Sequence, residues 1–164
     1  MKHSTKTIIF KGLSVLPSQL GYSLYHFLQN IGGNNKLEYK MESAKNTFKT
    51  VVGILDKNNI KLAHKNIAEL GSGWVPIFPY QLITEGKVKK VDTYDVNEHF
   101  SQKEIEQLNA FYANQFDCVF EKKGKYNLLK GVSYFPKTTI CEGEIQNIDL
   151  VLSRFVLEHV TPKD

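Results

Sequence analysis

Apolar positions change period along this chain. In "LSVLPSQLGYSLYHFLQN" (residues 13–30), Leu20, Leu24, Phe27 and Leu28 recur at helical spacing after Pro17, and Gly32 and Gly33 follow. That spacing predicts an amphipathic helix with a glycine stop. A packing or lid role suits it better than a membrane-surface role, because its polar face is poor in lysine. A second helix is predicted from about Glu38 to Asn58. Met41, Ala44, Phe48, Val51, Val52 and Leu55 fall on one side of it, and the Asn58-Asn59 pair ends it. From Lys65 the runs shorten. "KNIAEL" (65–70) and "VKKVDTYDV" (88–96) are rich in β-branched residues and separated by a helical stretch. This is the strand, helix, strand alternation of a parallel sheet.

Ser101 with Glu104 three residues later makes a capping-box pattern, which predicts a helix to about Asn114. "VFEKKGKYNLLK" (119–130) is a polar insertion whose conformation the pattern does not assign. "GVSYF" (131–135) reads as a third strand. "IDLVLS" (148–153) reads as a fourth, buried strand, apolar at nearly every position except Asp149. "RFVLEHV" then starts another helix. The predicted fold is α/β, with a Rossmann-like, doubly wound and mostly parallel sheet. Residues 61–164 form its core, and residues 1–60 form a helical segment packed against it. No internal repeat or low-complexity segment interrupts the chain.

Composition narrows the class. At 164 residues the chain has the length of one domain and can bury about two thirds of the surface its unfolded form exposes. A hydrophobic fraction of 41% with 23% charged residues sits near the average for globular proteins and favours neither the disordered nor the fibrous class. The net charge of +4 invites a nucleic-acid reading, yet Arg154 is the single arginine among 21 basic residues. Base-edge readout leans on arginine forks, so specific DNA recognition is not expected. Cys118 and Cys141 stand far apart, without CxxC spacing, which indicates neither a disulfide framework nor a zinc site. Lys11 and Gly12 interrupt the apolar run near the N-terminus, and no stretch approaches the roughly 20 apolar residues of a membrane span. The expectation is a cytoplasmic protein without a membrane span.

The candidate chemistry lies in "AELGSGWVPIFPY" (68–80). Gly71 and Gly73 stand directly after a predicted strand and before a predicted helix, where they let the backbone pass close to a ligand. Pro76 suits the helix's first turn. A dinucleotide site would have a third glycine where Pro76 stands, and Glu69 puts a negative charge where the pyrophosphate would lie. Repulsion at that range costs on the order of a few kcal/mol, so a cationic ligand fits better. S-adenosylmethionine, with its amino and sulfonium groups, is such a ligand. Asp95 ends the second strand about 20 residues past the turn, where a carboxylate can accept both ribose hydroxyls, and Asn97 would lie near the adenine edge.

"IAELGSGWVPIFPYQL", "VDTYDVNEHF" and "IDLVLSRFVLEHV" resemble the first, second and fourth conserved segments of the class I S-adenosylmethionine-dependent methyltransferases. "LSVLPSQLGYSLYHFLQ" is similar to leader helices in some bacterial members. The resemblance implies that Glu69, Gly71, Ser72 and Gly73 form the methionine-side turn and that Asp95, Val96 and Asn97 hold the ribose and border the base. It also implies that Ser153 lies on the floor near the methyl group. Where the family commonly has an acidic adenine partner after the third strand, this chain has Lys137, Thr138 and Thr139; Val75 replaces the third glycine.

Methyl transfer is an in-line displacement in which the cofactor brings the reactive carbon, leaving the protein to bind, align and exclude water. His159 is the candidate general base, although an early-helix imidazole packed beside Val160 or facing solvent is the simpler and favoured reading. Glu158 can cap a helix or line the site. Trp74 suits a pocket wall or packing on the first helix, and no metal cluster is evident. The resemblance further implies a longer sheet with a fifth strand beside the fourth. The chain is therefore expected to be the cofactor-binding part of such an enzyme, with a small-molecule acceptor, and "IDLVLS" is an apolar edge for a partner or further segment to cover. The alternatives are a non-catalytic S-adenosylmethionine-binding or interaction module and, on the glycine turn alone, an NAD-dependent oxidoreductase.

Overall fold

The computed structural model describes residues 37–138 and 146–153. The helices predicted over residues 13–30 and from Arg154 onward lie outside these residues, as do Thr139, Cys141, Glu158 and His159. The described residues from Met41 onward belong to one compact unit, which carries the sheet.

The first described element is α1, Leu37–Lys57. It buries Ala44 and Leu55 and packs Phe48, Val51 and Val52 against the core, the predicted apolar side. The asparagine pair ends it as expected. The Asn58 side chain donates to the Ile54 carbonyl at 2.8 Å, and Asn59 takes a φ of +58°, a left-handed conformation asparagine tolerates better than most residues.

The sheet is built from β1 (Asn66–Leu70), β2 (Lys90–Asp95), β5 (Val132–Pro136) and β6 (Leu150–Ser153). Its order is β5-β2-β1-β6, and every pairing is parallel. Between β1 and β2 runs α2 (Ile77–Thr84), and after β2 comes α3 (Gln102–Gln115). The result is a Rossmann-like α/β arrangement. Alternation along the strands puts Ile67, Val91, Leu150 and Leu152 on one face, where they meet Leu55 of α1 and Phe78 and Leu82 of α2. Residues 77–82 of α2 are all buried, so this helix has no solvent face and behaves as part of the core. Pro79 is tolerated because it lies in the first turn, where its missing N–H leaves no intrahelical bond unmade. Ser101 caps α3 by accepting from the Glu104 N–H, as the capping box predicts.

The polar insertion that the pattern left unassigned is a β-hairpin. Strand β3 (Phe120–Lys123) pairs antiparallel with β4 (Tyr126–Leu129) through a two-residue turn in which Gly124 has a φ of +60°. Tyr126, Leu128 and Leu129 are buried, and a polar knot holds the hairpin down. The Tyr80 hydroxyl of α2 donates to Asn109 Oδ1 at 2.8 Å and accepts from the Leu129 N–H at 3.0 Å. Asn109 Nδ2 of α3 donates to the Asn127 carbonyl at 2.8 Å. Burial pushes the Tyr80 phenol well above its ordinary value, so it remains a donor.

One expectation is corrected in part: "IDLVLS" lies at a sheet edge among the described residues, as the edge reading has it, but it is not the buried strand that its apolar run suggests, with Val151 51% exposed and its other residues only partly covered. A run of apolar residues signals a strand but does not distinguish an edge from a centre. No helix among the described residues is long and apolar enough to cross a membrane.

Tyr80→Phe leaves the Leu129 N–H and the Asn109 amide without their shared partner. It should lower unfolding free energy by about 1–3 kcal/mol in urea titration. A loss smaller than about 0.5 kcal/mol would show that the knot does not hold the hairpin.

Candidate functional site

The C-terminal ends of β2, β1 and β6 lie side by side, and the glycine turn leaves the middle one. Gly71 and Gly73 have φ of +85° and +64°. An L-residue with a side chain would carry a penalty of about 1–2 kcal/mol at each. Gly71 N–H donates to the Tyr94 carbonyl at 2.9 Å, which extends the β1–β2 ladder into the turn. At Gly73 an added Cβ would meet no atom within 4 Å, so the backbone there borders open space.

Glu69 stands opposite Thr93 in the ladder and is fully buried. The Thr93 hydroxyl donates to Glu69 Oε2 at 2.7 Å, as a buried carboxylate requires. The acid therefore sits one step back from the strand tip, inside the sheet's helix-covered face.

Asp95 ends β2, and its side chain is 10% exposed. Its Oδ2 accepts from the Ser72 hydroxyl at 3.0 Å, and its Oδ1 accepts from the Asn97 N–H at 3.0 Å. His99 Nε2 lies 3.5 Å from Oδ1. The loop after β2 is strapped from both sides. Tyr134 of β5 accepts from the His99 N–H at 2.9 Å and donates to the Asn97 carbonyl at 3.2 Å. Burial pushes its phenol up, against the opposing effect of the hydrogen bond from the His99 N–H. Trp74, just past the glycine turn, stacks on His99 with ring centroids 5.6 Å apart.

Ser153 pairs with Leu70, so it flanks the start of the turn, and its Oγ is buried with no hydrogen-bond partner among the described residues. Val96 and Asn97 are exposed just beyond Asp95. Thr138 donates its N–H to the Asp95 carbonyl at 3.1 Å and its hydroxyl to the Pro136 carbonyl at 3.2 Å, while Lys137 pairs with Glu98 at 3.3 Å. The structure thus brings Ser72 of the turn against Asp95, sets Ser153 beside the turn in register, and holds Glu69 behind it.

His99 and Tyr134 are the residues that sequence reasoning missed. The Asp95-to-His99 spacing was a readable signal for the first. Tyr134 reaches the loop from a strand 35 residues away, and no local pattern announces it. Among the described residues no group of three or more His, Cys, Asp or Glu side chains could hold a metal ion. Searches of protein families, curated proteins and solved structures found no match to this chain.

Next to Asp95 on the same loop, Glu98 is hydrogen-bonded by Lys125 at 2.6 Å, by Lys137 and by the Tyr126 hydroxyl. The Lys125 hydrogen bond is the largest cause that holds its carboxyl below the ordinary value of 4.5. Because folding lowers this value, the stabilisation is complete above about 4.5 and is lost as pH falls through the lower folded value. Glu98→Gln should flatten the acid limb of the stability profile in urea titrations across pH, and superimposable limbs would refute the pairing. Tyr134→Phe should speed hydrogen exchange at the His99 amide while Ile67 and Val91 stay protected. Unchanged exchange at His99 would remove the strap.

Proposed function

We propose that this chain binds S-adenosylmethionine across the tips of β1 and β2 and is the cofactor-binding portion of a class I methyltransferase. The acceptor in this reading is a small molecule, sugar or lipid-linked group, and the enzyme is cytoplasmic. The observation that carries the reading is the 3.0 Å hydrogen bond between Ser72 and Asp95, which puts the glycine turn and the β2 carboxylate in one small space.

The residues suit such a ligand. Asp95 keeps acceptor capacity on Oδ2, where the Ser72 hydroxyl occupies only one lone pair, so a ribose hydroxyl can join or displace it. Val96 and Asn97 border the base. Gly73 leaves room for close approach of the backbone. Buried Glu69 contributes negative potential from behind the turn, and the unpartnered Ser153 hydroxyl offers a polar contact on its far side. When bound, the sulfonium supplies an electrophilic methyl group for an in-line displacement. The chain's own work is to align that group, shield it from water and keep the ribose fixed. In this reading β5, β2, β1 and β6 are the third, second, first and fourth strands of a doubly wound sheet, and the free side of β6 takes a further strand from this protein or a partner.

Calorimetry with S-adenosylmethionine and its demethylated product tests the reading. Both should bind, and Asp95→Ala should weaken binding by about 1–3 kcal/mol through loss of charge-assisted hydrogen bonds. No heat at millimolar ligand from folded protein would sink the reading. Binding of NADH in its place would turn the site toward hydride transfer.

A further inference from the structure

Asp95 is held on one side only by backbone. Its Oδ1 receives the Asn97 N–H at 3.0 Å, but the other group near that oxygen is the His99 ring, with Nε2 at 3.5 Å. Two further constraints aim this ring. Its main-chain N–H is fixed by the Tyr134 hydroxyl at 2.9 Å, and its face lies on Trp74, with an interplanar angle of 20°. Trp74 belongs to the β1 turn and His99 to the β2 loop. Their stack therefore joins the two loops a second time, alongside the Ser72–Asp95 hydrogen bond.

We infer that His99, braced by Trp74, is a positioning residue that turns Oδ1 of Asp95 inward and leaves Oδ2 presented to a vicinal diol, one hydroxyl taking its open lone pair and the other displacing the Ser72 hydroxyl. This rests on the reading of the site as a nucleoside-binding site. The physical reason is torsional. The last side-chain torsion of an aspartate is broad and roughly two-fold, so one backbone hydrogen bond leaves the carboxylate plane loosely set. Two groups on the same oxygen from different directions set it. A fixed plane matters for a ligand that presents two neighbouring hydroxyls, because both must find lone pairs in one geometry. It matters less for a ligand with one. The ligand class selected is thus a ribonucleoside over its 2′-deoxy counterpart, and the selectivity depends on His99 as well as on the carboxylate that makes the contact.

The test compares S-adenosylhomocysteine with its 2′-deoxy analogue by calorimetry in four proteins: wild type, His99→Ala, His99→Gln and Trp74→Ala. Wild type should prefer the ribose form. His99→Ala should weaken binding of the ribose form by about three- to tenfold, the scale of one lost polar contact to a carboxylate, while changing the deoxy form little. His99→Gln, which keeps an N–H donor of similar reach, should restore most of the preference. Trp74→Ala should shift the preference in the same direction by less. Thermal unfolding of each variant separates this role from a structural one, since general loosening lowers affinity for both ligands together. Wild-type binding with an unchanged ribose-to-deoxy ratio in His99→Ala overturns this inference alone. Absence of wild-type binding to either ligand overturns it together with the nucleoside reading.

Discussion

Parallel pairing of β1 with β2 is the constraint on which the rest depends. Its register runs from Asn66 opposite Lys90 to Leu70 opposite Tyr94 and continues through the Gly71 amide. Once set, it decides which side chains share a face and which residues share a strand end. Ile67 and Val91 are turned together toward α1 and α2, and Glu69 is turned toward Thr93. A slip of one residue would reverse every one of these assignments. It would also strand the Glu69 carboxylate, which is fully buried and relies on a neighbour placed by that register.

The helices reinforce the same choice by different means. α2 is apolar almost all round and is driven inward by its own composition. α3 is amphipathic and gains its place through Asn109 and Tyr112 as well as through Ile105 and Leu108. The polar groups that hold α2, α3 and the hairpin together are paired with one another, so Tyr80 and Tyr112 can be buried, with Phe116 stacked on Tyr112, without orphaned donors at Tyr80 or Asn109.

Much of this was legible in the residues. The β-branched runs marked the four parallel strands, Ser101 with Glu104 marked a helix start, and the paired glycines marked a turn whose backbone angles need them. Asp95 could be placed at a strand end from spacing alone. The hairpin could not, because its inward positions Tyr126, Leu128 and Leu129 do not alternate cleanly and their burial depends on Tyr80 and α3. The degree of burial of β6 was misjudged for a related reason. Apolar sequence reports what a strand can bury, whereas topology decides how much of it is covered. The partners of Asp95 divide along the same line: Asn97 and His99 are near in sequence, and Tyr134 enters only through the pairing of β5 with β2.

The attachment of β6 to β1 has a consequence for how the molecule assembles. Its lower end is fastened by the Asp149 carboxylate accepting from the Asn66 N–H, across a sequence separation of 83 residues. Closing so long a span gives up chain entropy before any pairing repays it, whereas the hairpin and α3 form from neighbours. The sheet is therefore expected to grow outward from its centre, with β6 joining late and releasing early. On the same reasoning, the side of the candidate site that carries Ser153 is expected to be completed last in folding and to open first when the native state loosens.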